Sequence, residues 1–362
     1  MNKVRAIEVL MNSVKIGRIA MTPDFLCAFE YDPAYLLSGA SISPFNLPLK
    51  SEVFIAKRTP FYGGFGVFDD SLPDGWGNLI LNKYLKSKGF DLAKFTLLQR
   101  LAFVGSTGRG ALEYRPDFRE VTTNEVINFD NLATEAEKIL TTDYDGESIE
   151  TFYKYGGSSG GARPKVFMKI GGKEWLVKFK ATVDPANIGL IEYEYSLLAK
   201  KCGINMPETK LFEKKYFGVE RFDRTPHGKV HTVSAAGLLN ADYRVPSLDY
   251  GDLLQACHIF TKNMEEVYAL FRQMVFNVAI GNRDDHAKNF SFQLINGEWR
   301  LAPAYDLLPS NGFNGFHTTT VNNNGEPTSN DMMIIATKVG LNKQRAAEII
   351  EEINTLIKEN KM

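Results

Sequence analysis

The stretch Gly281-Asn282-Arg283-Asp284-Asp285-His286-Ala287-Lys288-Asn289 carries the strongest signal in the sequence. It follows the apolar run MEEVYALFRQMVFNVAI, which has helical spacing, and precedes the alternating run FSFQLI, so a loop between a helix and a strand is predicted. Asp284 and Asn289 are 289 − 284 = 5 positions apart. Protein kinases use this spacing between the Asp that accepts the hydroxyl proton and the Asn that binds Mg²⁺.

The next element brings in a second acid. Asn296-Gly297 is the dipeptide that two-residue hairpin turns prefer, and strand-like segments flank it. Paired residues then sum to 593, so Asn289 is expected to face Ala304, and Asp306 lies two residues beyond. Oxygen ligands suit a hard cation such as Mg²⁺, so Asn289 and Asp306 are predicted metal ligands.

A purely structural interpretation of this loop is a polar connection whose Asp caps a helix or turn. Asp285 fits that interpretation well, and His286 could simply be hydrogen-bonded within the loop. Lys288 either stabilises transferring phosphoryl oxygens or pairs with Asp284, and we favour the first role. For Asp284, Asn289 and Asp306 together, a catalytic interpretation is favoured.

A second set of residues lies upstream, in the Gly-rich segment 156–165, GGSSGGARPK. The strand-like segments around Gly171-Gly172 predict a hairpin in which Lys165 faces Lys178. Small residues let backbone N–H groups approach phosphate closely, and two cations beside them would complete a phosphate-binding site. The segment lacks the GxxxxGK[ST] pattern of a Walker A loop, and a flexible connection is the alternative interpretation.

Two further segments resemble functional sites less closely. The segment 105–110, GSTGRG, lacks an obvious cationic strand partner and is predicted to be a turn. The segment 68–74, FDDSLPD, holds three carboxylates, but Pro73 and its apolar residues favour a capped turn that leads into a helix.

Composition restricts the class of protein. A chain of 362 residues suits two or three domains, and 44% hydrophobic with 23% charged residues is ordinary for globular proteins. A net charge of −1 gives no electrostatic case for direct nucleic-acid binding. Without a signal-like start or an apolar span, we expect no membrane association and a cytoplasmic location. Cys27, Cys202 and Cys257 are predicted to be reduced core residues.

The order of patterns predicts an α+β fold. Residues 1–120 are predicted to form a mixed α/β N-terminal domain, from short strands and turns followed by a helix. Residues 121–362 are predicted to form a second domain, with a strand-rich lobe at about 121–226 and a helical lobe at about 227–362. The helices are expected in NFDNLATEAEKIL, DYGDLLQACHIF and the run before the 281–289 loop.

Taken together, the motifs resemble those of the HipA-like kinases, the toxin components of bacterial toxin–antitoxin modules. The similarity covers nearly the whole chain. It is carried in the first domain by FEYDPAYL, NLPL and FDDSLPDGWG, and in the second by SSGGARPK, LVKF, EYEYSLLAKKCGI, VERFDR, NRDDHAKNFSF and PAYDLLPS.

The resemblance implies a protein-kinase-like, two-lobed core and a role for each matched residue. Asp284 would be the catalytic base, with His286 and Lys288 in the same loop, and Asn289 and Asp306 would bind Mg²⁺. Lys178 would contact the ATP phosphates. The implied phosphate loop and adenine-binding linker comprise Ser159, Gly160, Gly161, Ala162, Arg163, Lys165 and then Glu220, Arg221, Phe222.

The chain departs from the family at Arg163-Pro164, where the family usually has Gln-Glu. Either Glu192 or Glu194 matches the family's Glu in the first small-lobe helix. Ser158 resembles the loop serine whose autophosphorylation inactivates these kinases, because added phosphate charge would repel ATP. Ser159 is the competing position.

The resemblance further implies a serine/threonine kinase that acts as a toxin with ATP and Mg²⁺. Its partner would be a small DNA-binding antitoxin (HipB-like), which would provide the only link to nucleic acid. Its substrate would be a translation component such as an aminoacyl-tRNA synthetase. The alternatives are a non-catalytic binding module that acts with a repressor on DNA, and a small-molecule phosphotransferase.

Overall fold

The structure of the protein is a computed structural model that describes residues 4–119, 128–141, 148–156, 160–312 and 314–360. The chain divides into two compact units. The first contains residues 1–190 and 209–231, and the second contains residues 191–208 and 232–362. The predicted domain boundary at residue 120 stays a prediction.

The first unit begins with a five-stranded antiparallel sheet of order β4-β3-β2-β1-β5. Alternate residues of its strands are buried, as in Cys27, Phe29 and Tyr31 of β3, because successive side chains point to opposite faces. Its elements are β1 (Ala6–Met11), β2 (Val14–Met21), β3 (Cys27–Tyr31), α1 (Pro33–Leu36), β4 (Val53–Ile55), α2 (Gly66–Asp69), α3 (Gly75–Ser87), α4 (Leu97–Val104) and β5 (Leu112–Arg115).

The same unit contains a four-stranded antiparallel sheet of order β6-β7-β9-β8. Helix α5 confirms the helix predicted for NFDNLATEAEKIL. The elements are α5 (Phe129–Thr141), α6 (Ser148–Gly156), β6 (Lys165–Ile170), β7 (Lys173–Lys178), α7 (Ile188–Lys201), β8 (Thr209–Phe212), β9 (Tyr216–Glu220), β10 (Arg224–Thr225) and β11 (Gly228–Lys229). The last residues of α7 belong to the second unit.

One hydrophobic core joins the helices before residue 105 to the four-stranded sheet. Trp76 of α3 packs edge-on against Phe152 of α6, with ring centroids 5.3 Å apart, and Trp175 of β7 packs in the same way on Phe212. Burial of such aromatic side chains is the main stabilising term in a core of this kind. Helix α6 and strand β6, which lie at the two ends of the Gly-rich segment, both contribute residues to this core.

The second unit is mainly helical, as the sequence predicts for its lobe. It contains a three-stranded sheet of order β12-β14-β15 and a parallel pair of short strands, β13 and β16. Its elements are β12 (His231–Ser234), α8 (Ala235–Leu239), β13 (Leu248–Asp249), α9 (Tyr250–Thr261), α10 (Met264–Ile280), β14 (Ser291–Ile295), β15 (Glu298–Leu301), β16 (Thr319–Thr320), α11 (Ser329–Lys338) and α12 (Lys343–Glu359). His231, the first residue of β12, belongs to the first unit.

Several local predictions are confirmed. Helices α9 and α10 lie where the apolar spacing predicts them, and the 281–289 loop connects α10 to β14. Cys27, Cys202 and Cys257 are buried and do not form disulfides. Across the described ranges, none of the helices is both long and apolar enough to cross a membrane.

Candidate active-site residues

The 281–289 loop of the second unit starts where α10 ends. Gly281 caps the helix with a φ of +69°, a left-handed conformation that glycine adopts without a Cβ penalty. Its carbonyl accepts a hydrogen bond from the Ser310 N–H at 3.1 Å, and the Arg283 N–H donates to the Ser310 carbonyl at 3.2 Å. The loop is therefore fixed to the segment that follows Asp306.

Asp284 and Asn289, the predicted base and metal ligand, are joined within this loop. The amide nitrogen of Asn289 donates to the carbonyl of Asp284 at 2.7 Å, which closes the five-residue spacing. Since that bond uses the nitrogen, the amide oxygen is the Asn289 atom suited to a cation. The Asp284 side chain is exposed. The spacing thus corresponds to one closed local turn.

His286 and Lys288 shape the same turn. The Nδ1 atom of His286 accepts the Lys288 N–H at 3.2 Å and caps a short 3₁₀ helix, Ala287–Asn289. The Lys288 ammonium lies 3.9 Å from the centroid of the Tyr243 ring. The backbone carbonyl of Lys288 accepts a hydrogen bond from the Tyr305 hydroxyl at 2.6 Å. His286 thus has a structural capping role here, and Lys288 stacks as a cation on an aromatic face.

The predicted hairpin after the loop has the expected register. Phe292 pairs with Leu301 and Ile295 with Glu298, so each pair sums to 593. The extension of that ladder to Asn289 and Ala304 is wrong. Asn289 belongs to the 3₁₀ turn, and the Ala304 N–H donates to the Asn205 carbonyl at 2.8 Å. The chain leaves strand geometry because these backbone groups bond elsewhere.

Asp306 is exposed and has a φ of +55°. Non-glycine residues rarely adopt this conformation, although Asp tolerates it better than most. The carbonyl of Asp306 accepts a hydrogen bond from the Asn282 amide at 3.2 Å. Asp306 and the 281–289 loop are therefore connected within the second unit.

In the first unit, the Gly-rich segment is hydrogen-bonded to Asp74, a residue for which the sequence predicts only a capped turn. The Gly161 N–H donates to the Asp74 carboxylate, and the Trp76 N–H donates to the Gly161 carbonyl at 2.9 Å. A Cβ on Gly75 would lie 2.5 Å from the Gly161 carbonyl oxygen, so this close approach requires glycine. Asp74 starts helix α3, but its carboxylate bonds to the Gly-rich segment.

Arg163, the departure from the family pattern, forms a two-point ion pair. Its Nε and Nη2 atoms each lie 2.9 Å from a carboxylate oxygen of Asp184. Burial alone would raise the pKa of Asp184, but Arg163 and the Ala181 N–H hold that pKa below its usual value. Arg163 therefore fixes the shape of the segment through a residue that no sequence motif identified.

Lys165 and Lys178 face each other across the β6–β7 hairpin, as the Gly171-Gly172 turn predicts. Both are buried. The Lys165 ammonium donates to the Gly160 carbonyl, and the Lys178 ammonium lies 5.5 Å from the Phe217 ring centroid. Lys178 also lines a cavity of about 360 Å³ within the first unit. Ala162 is exposed beside Arg163.

The predicted linker residues, Glu220 to Phe222, follow directly from β9. Glu220 pairs with Lys173 at 2.8 Å. The Arg221 side chain is buried, lies 4.3 Å from the Phe167 ring centroid and pairs with Asp223 at 2.9 Å. Phe222 lies between them in the chain. The side chain of Arg221 thus has a packing role.

The 105–110 segment has cationic hydrogen-bond partners. This finding corrects the expectation from sequence that the segment lacks such a partner. Arg221 and Arg224 donate to the Gly108 carbonyl, and the Lys229 ammonium donates to the Ser106 carbonyl. These groups come from residues more than 100 positions away, so local sequence gave no signal for them. Because the carbonyls accept these bonds, the segment acts as a bound turn.

The remaining predicted positions are the two loop serines and the two glutamates of α7. Ser158 and Ser159 lie outside the described residues. On α7, Glu192 is buried and Glu194 is exposed, and the choice between them stays a prediction.

Comparison with known proteins identifies two family matches in order along the chain. The HipA N-terminal domain matches residues 7–115, and the HipA-like C-terminal domain matches residues 157–360. The second match alone covers more than half of the chain.

Two individual proteins also align with this chain. A Sinorhizobium fredii protein named "Putative kinase Y4dM" is 30% identical over 159 residues, which are 38% of this chain and 37% of that protein. The chain thus matches little more than a third of the length of this relative. A solved complex of HipA, HipB and operator DNA from Shewanella oneidensis MR-1 aligns with a TM-score of 0.73 at 18% identity, over 98% of this chain and 89% of that one. That similarity confirms the predicted kinase-like α+β fold.

Proposed function

We propose that this chain, which belongs to the HipA-like family, transfers the γ-phosphoryl group of ATP to a serine or threonine hydroxyl of a protein. The observation that carries this proposal is the 281–289 loop. It exposes Asp284, and the side chain of Asn289 closes a turn onto the carbonyl of Asp284. The name of the Sinorhizobium relative also supports kinase activity.

In this proposal Asp284 accepts the proton of the substrate hydroxyl. Its exposed carboxylate can reach the hydroxyl of an incoming protein chain. The amide oxygen of Asn289 and the carboxylate of Asp306 would hold Mg²⁺, because both are oxygen donors and the second unit connects their loops. When bound, Mg²⁺ neutralises negative charge on the phosphates.

The residues of the first unit are proposed to bind the nucleotide. Lys165 and Lys178 supply two buried cations at the end of one hairpin, and the Lys165 ammonium lies beside the backbone of Gly160 and Gly161. Both cations would attract the negative charge of a triphosphate. Arg163 would act indirectly, by holding the segment through Asp184. The linker Glu220 to Phe222 is proposed to contact adenine, on the resemblance alone.

The biological setting is also a proposal. The Shewanella complex contains HipA, HipB and operator DNA, which supports a small DNA-binding antitoxin as the partner of this chain. A toxin role in the cytoplasm, with a translation component such as an aminoacyl-tRNA synthetase as substrate, rests on the resemblance. Phosphorylation of Ser158 would inactivate the enzyme by placing negative charge in the phosphate-binding segment.

The test uses a cell lysate incubated with the protein, Mg²⁺ and γ-labelled ATP, followed by gel separation and mass spectrometry. The parent protein should label one or more proteins on serine or threonine. Asp284→Asn and Asp306→Asn should each reduce labelling at least about 100-fold, because each removes a group that acts in the transition state.

Asp252→Asn, an exposed acid on α9, is the matched control and should label at the parent rate. Labelling of small molecules in place of proteins would favour the small-molecule phosphotransferase. Nucleotide binding without any transfer would favour the binding module.

A further inference from the structure

The two adjacent acids of the 281–289 loop have opposite environments. Asp284 is exposed, whereas Asp285 is completely buried, with 0% of its surface accessible. The function proposed above uses Asp284 and leaves Asp285 without a role. Burial of a carboxylate costs several kcal/mol unless it is well compensated, so this neighbour requires an explanation.

The carboxylate of Asp285 is compensated by four donors from elsewhere in the second unit. Its Oδ2 atom lies 2.9 Å from the Tyr250 hydroxyl and 2.9 Å from Nδ1 of His317. Its Oδ1 atom accepts the N–H groups of Thr318 at 2.9 Å and Thr319 at 3.2 Å. Each oxygen therefore has two donors, which fixes the carboxylate in position and orientation.

The segment that contains these threonines also holds the backbone on both sides of Asp284. The Thr319 hydroxyl donates to the carbonyl of Asp285. The N–H and hydroxyl of Thr318 donate to the carbonyl of Arg283, at 3.1 and 2.9 Å. The carbonyls of residues 283 and 285 are thus fixed to Thr318 and to Thr319 at the start of β16, and the backbone of Asp284 is held between them.

A chain of hydrogen bonds continues from Asp285 to Asp306. The Tyr250 hydroxyl accepts from the Asn277 amide at 3.0 Å, and the Asn277 oxygen accepts from the Asn282 amide at 3.0 Å. The same Asn282 nitrogen donates to the carbonyl of Asp306 at 3.2 Å. Tyr250, Asn277 and Asn282 therefore connect Asp285 to the backbone of the proposed metal ligand.

From this arrangement we infer that Asp285 is a positioning residue. It sets the direction of the Asp284 side chain and, through the three-residue chain, the backbone turn at Asp306. The inference rests on the proposed kinase function. A buried, hydrogen-bonded carboxylate is weak support for stability alone, because an apolar replacement of similar volume often stabilises as well. Precise placement has a larger effect on catalysis, where a shift of 1 Å can cost about 100-fold.

The test compares the purified parent protein with three variants of the same chain. Asp285→Asn keeps the size of the side chain but replaces one acceptor oxygen with an NH₂ group, which can only donate hydrogen bonds. Thr319→Val removes the hydroxyl that holds the Asp285 carbonyl. Thr320→Val is the matched control, because it makes the same change one residue later in β16, where the hydroxyl bonds instead to Asp249. Circular dichroism first establishes that each variant is folded at the assay temperature.

The measurement is the initial rate of phosphate transfer from Mg·ATP to dephosphorylated casein, at varied ATP and at varied Mg²⁺. Asp285→Asn should lower kcat by about 10- to 100-fold. Its half-saturating Mg²⁺ concentration should rise about threefold, because the Asp306 turn is held by the same network. The KM for ATP at saturating Mg²⁺ should stay within about twofold, since the proposed nucleotide-binding residues lie in the first unit.

Thr319→Val should lower kcat about three- to tenfold, and Thr320→Val should stay within about twofold of the parent. A merely structural role would reduce the folded fraction and leave the Mg²⁺ dependence unchanged. Should Asp285→Asn not fold, the two threonine variants decide the question.

Folded Asp285→Asn with the parent kcat and Mg²⁺ dependence would overturn the positioning role and leave the kinase proposal intact. Equal losses in the two threonine variants would also overturn it. If the parent protein transfers no phosphate to any acceptor, the kinase proposal fails, and the positioning role fails with it.

Discussion

Asp223 in the first unit and Asp285 in the second are both buried carboxylates close to proposed functional residues, and the two are compensated differently. Asp223 in the first unit is 5% exposed and accepts from Arg221 at 2.9 Å, from Arg224 at 3.1 Å and from the Gly110 N–H at 2.8 Å. Asp285 in the second unit is surrounded by hydroxyl and backbone donors and one histidine.

The difference shows two ways to use a buried acid. At Asp223, two arginines of the linker region and a turn from the N-terminal sheet region meet at one charge. Burial alone would raise the pKa of Asp223, but Arg221 and Arg224 hold that pKa well below its usual value. Such a charge-balanced site joins distant segments. The hydrogen-bonded site at Asp285 instead defines the shape of one loop.

The largest expected effect is on stability, at the charge-balanced site. Asp223→Ala removes the buried anion from two neighbouring guanidinium groups and leaves them only the longer contacts to the partly exposed Glu174, at 3.7 and 3.6 Å. The free energy of unfolding should therefore fall by about 3–5 kcal/mol. Urea denaturation monitored by tryptophan fluorescence measures this change in the free energy of unfolding. A Trp299→Phe background restricts the signal to Trp76 and Trp175, which both lie in the first unit.

Glu30→Ala, which breaks an exposed pair with Arg18 in the same unit, serves as the control and should have a much smaller effect. If both variants unfold at the same urea concentration as the parent, the arginines and Asp223 do not hold the first unit together.

A smaller effect should appear in the pH dependence of the stability of the first unit. The buried ring of His231 donates from Nε2 to the Ile42 carbonyl at 2.9 Å, and burial lowers its pKa from 6.5 to about 4. The unfolded chain therefore takes up this proton first, and stability falls as the pH decreases from 6.5 towards 4. Between pH 7 and pH 5 the loss should be about 2 kcal/mol.

His231→Gln keeps a donor for the Ile42 carbonyl but does not titrate, so the difference between its unfolding free energies at pH 7 and pH 5 should be smaller than in the parent by that amount. Asp223→Ala leaves the His231 ring and its hydrogen bond to Ile42 in place, so this variant should retain the parent pH dependence over this range. An unchanged pH dependence in His231→Gln would show that His231 is accessible to protons in the folded chain.

The smallest effect is expected at the hydrogen-bonded site. Tyr250→Phe removes one of four donors to the Asp285 carboxylate and leaves the Asn277 amide without that acceptor. The cost should be about 1–2 kcal/mol, because the other three donors to Asp285 remain. Urea denaturation followed by circular dichroism suits this helical unit.

Tyr268→Phe is the control, because its hydroxyl accepts an exposed backbone N–H that water can satisfy. A loss at Tyr250 as large as the loss at Asp223 would remove the distinction between the two kinds of site.

Much of the fold and part of the candidate site could be predicted from local patterns. The turn dipeptides gave both hairpin registers, including Lys165 opposite Lys178, because a two-residue turn fixes the pairing of its strands. The five-residue spacing identified the turn that Asn289 closes onto Asp284. The ladder prediction failed at Ala304, where a tertiary bond to Asn205 replaces strand pairing.

Other neighbours of the proposed site residues had no signal in the sequence. Asp74 precedes its partner Gly161 by 161 − 74 = 87 positions, and its own segment favours a turn before a helix. Asp184 stands in an ordinary loop, where only the fold shows its pairing with Arg163. No spacing rule connects such residues, because their contact depends on how whole elements pack.

The sequence by itself determined the family, the order of strands and helices, and the residue types available for chemistry, because periodicity, turn residues and motif spacing are local properties. Only the tertiary structure decided which of two adjacent acids is exposed. Asp285 is buried because Tyr250 and residues 317–319 supply its donors, and Asp284 is left at the surface. Burial and hydrogen-bond compensation depend on segments far apart in the chain, so a local pattern does not encode them.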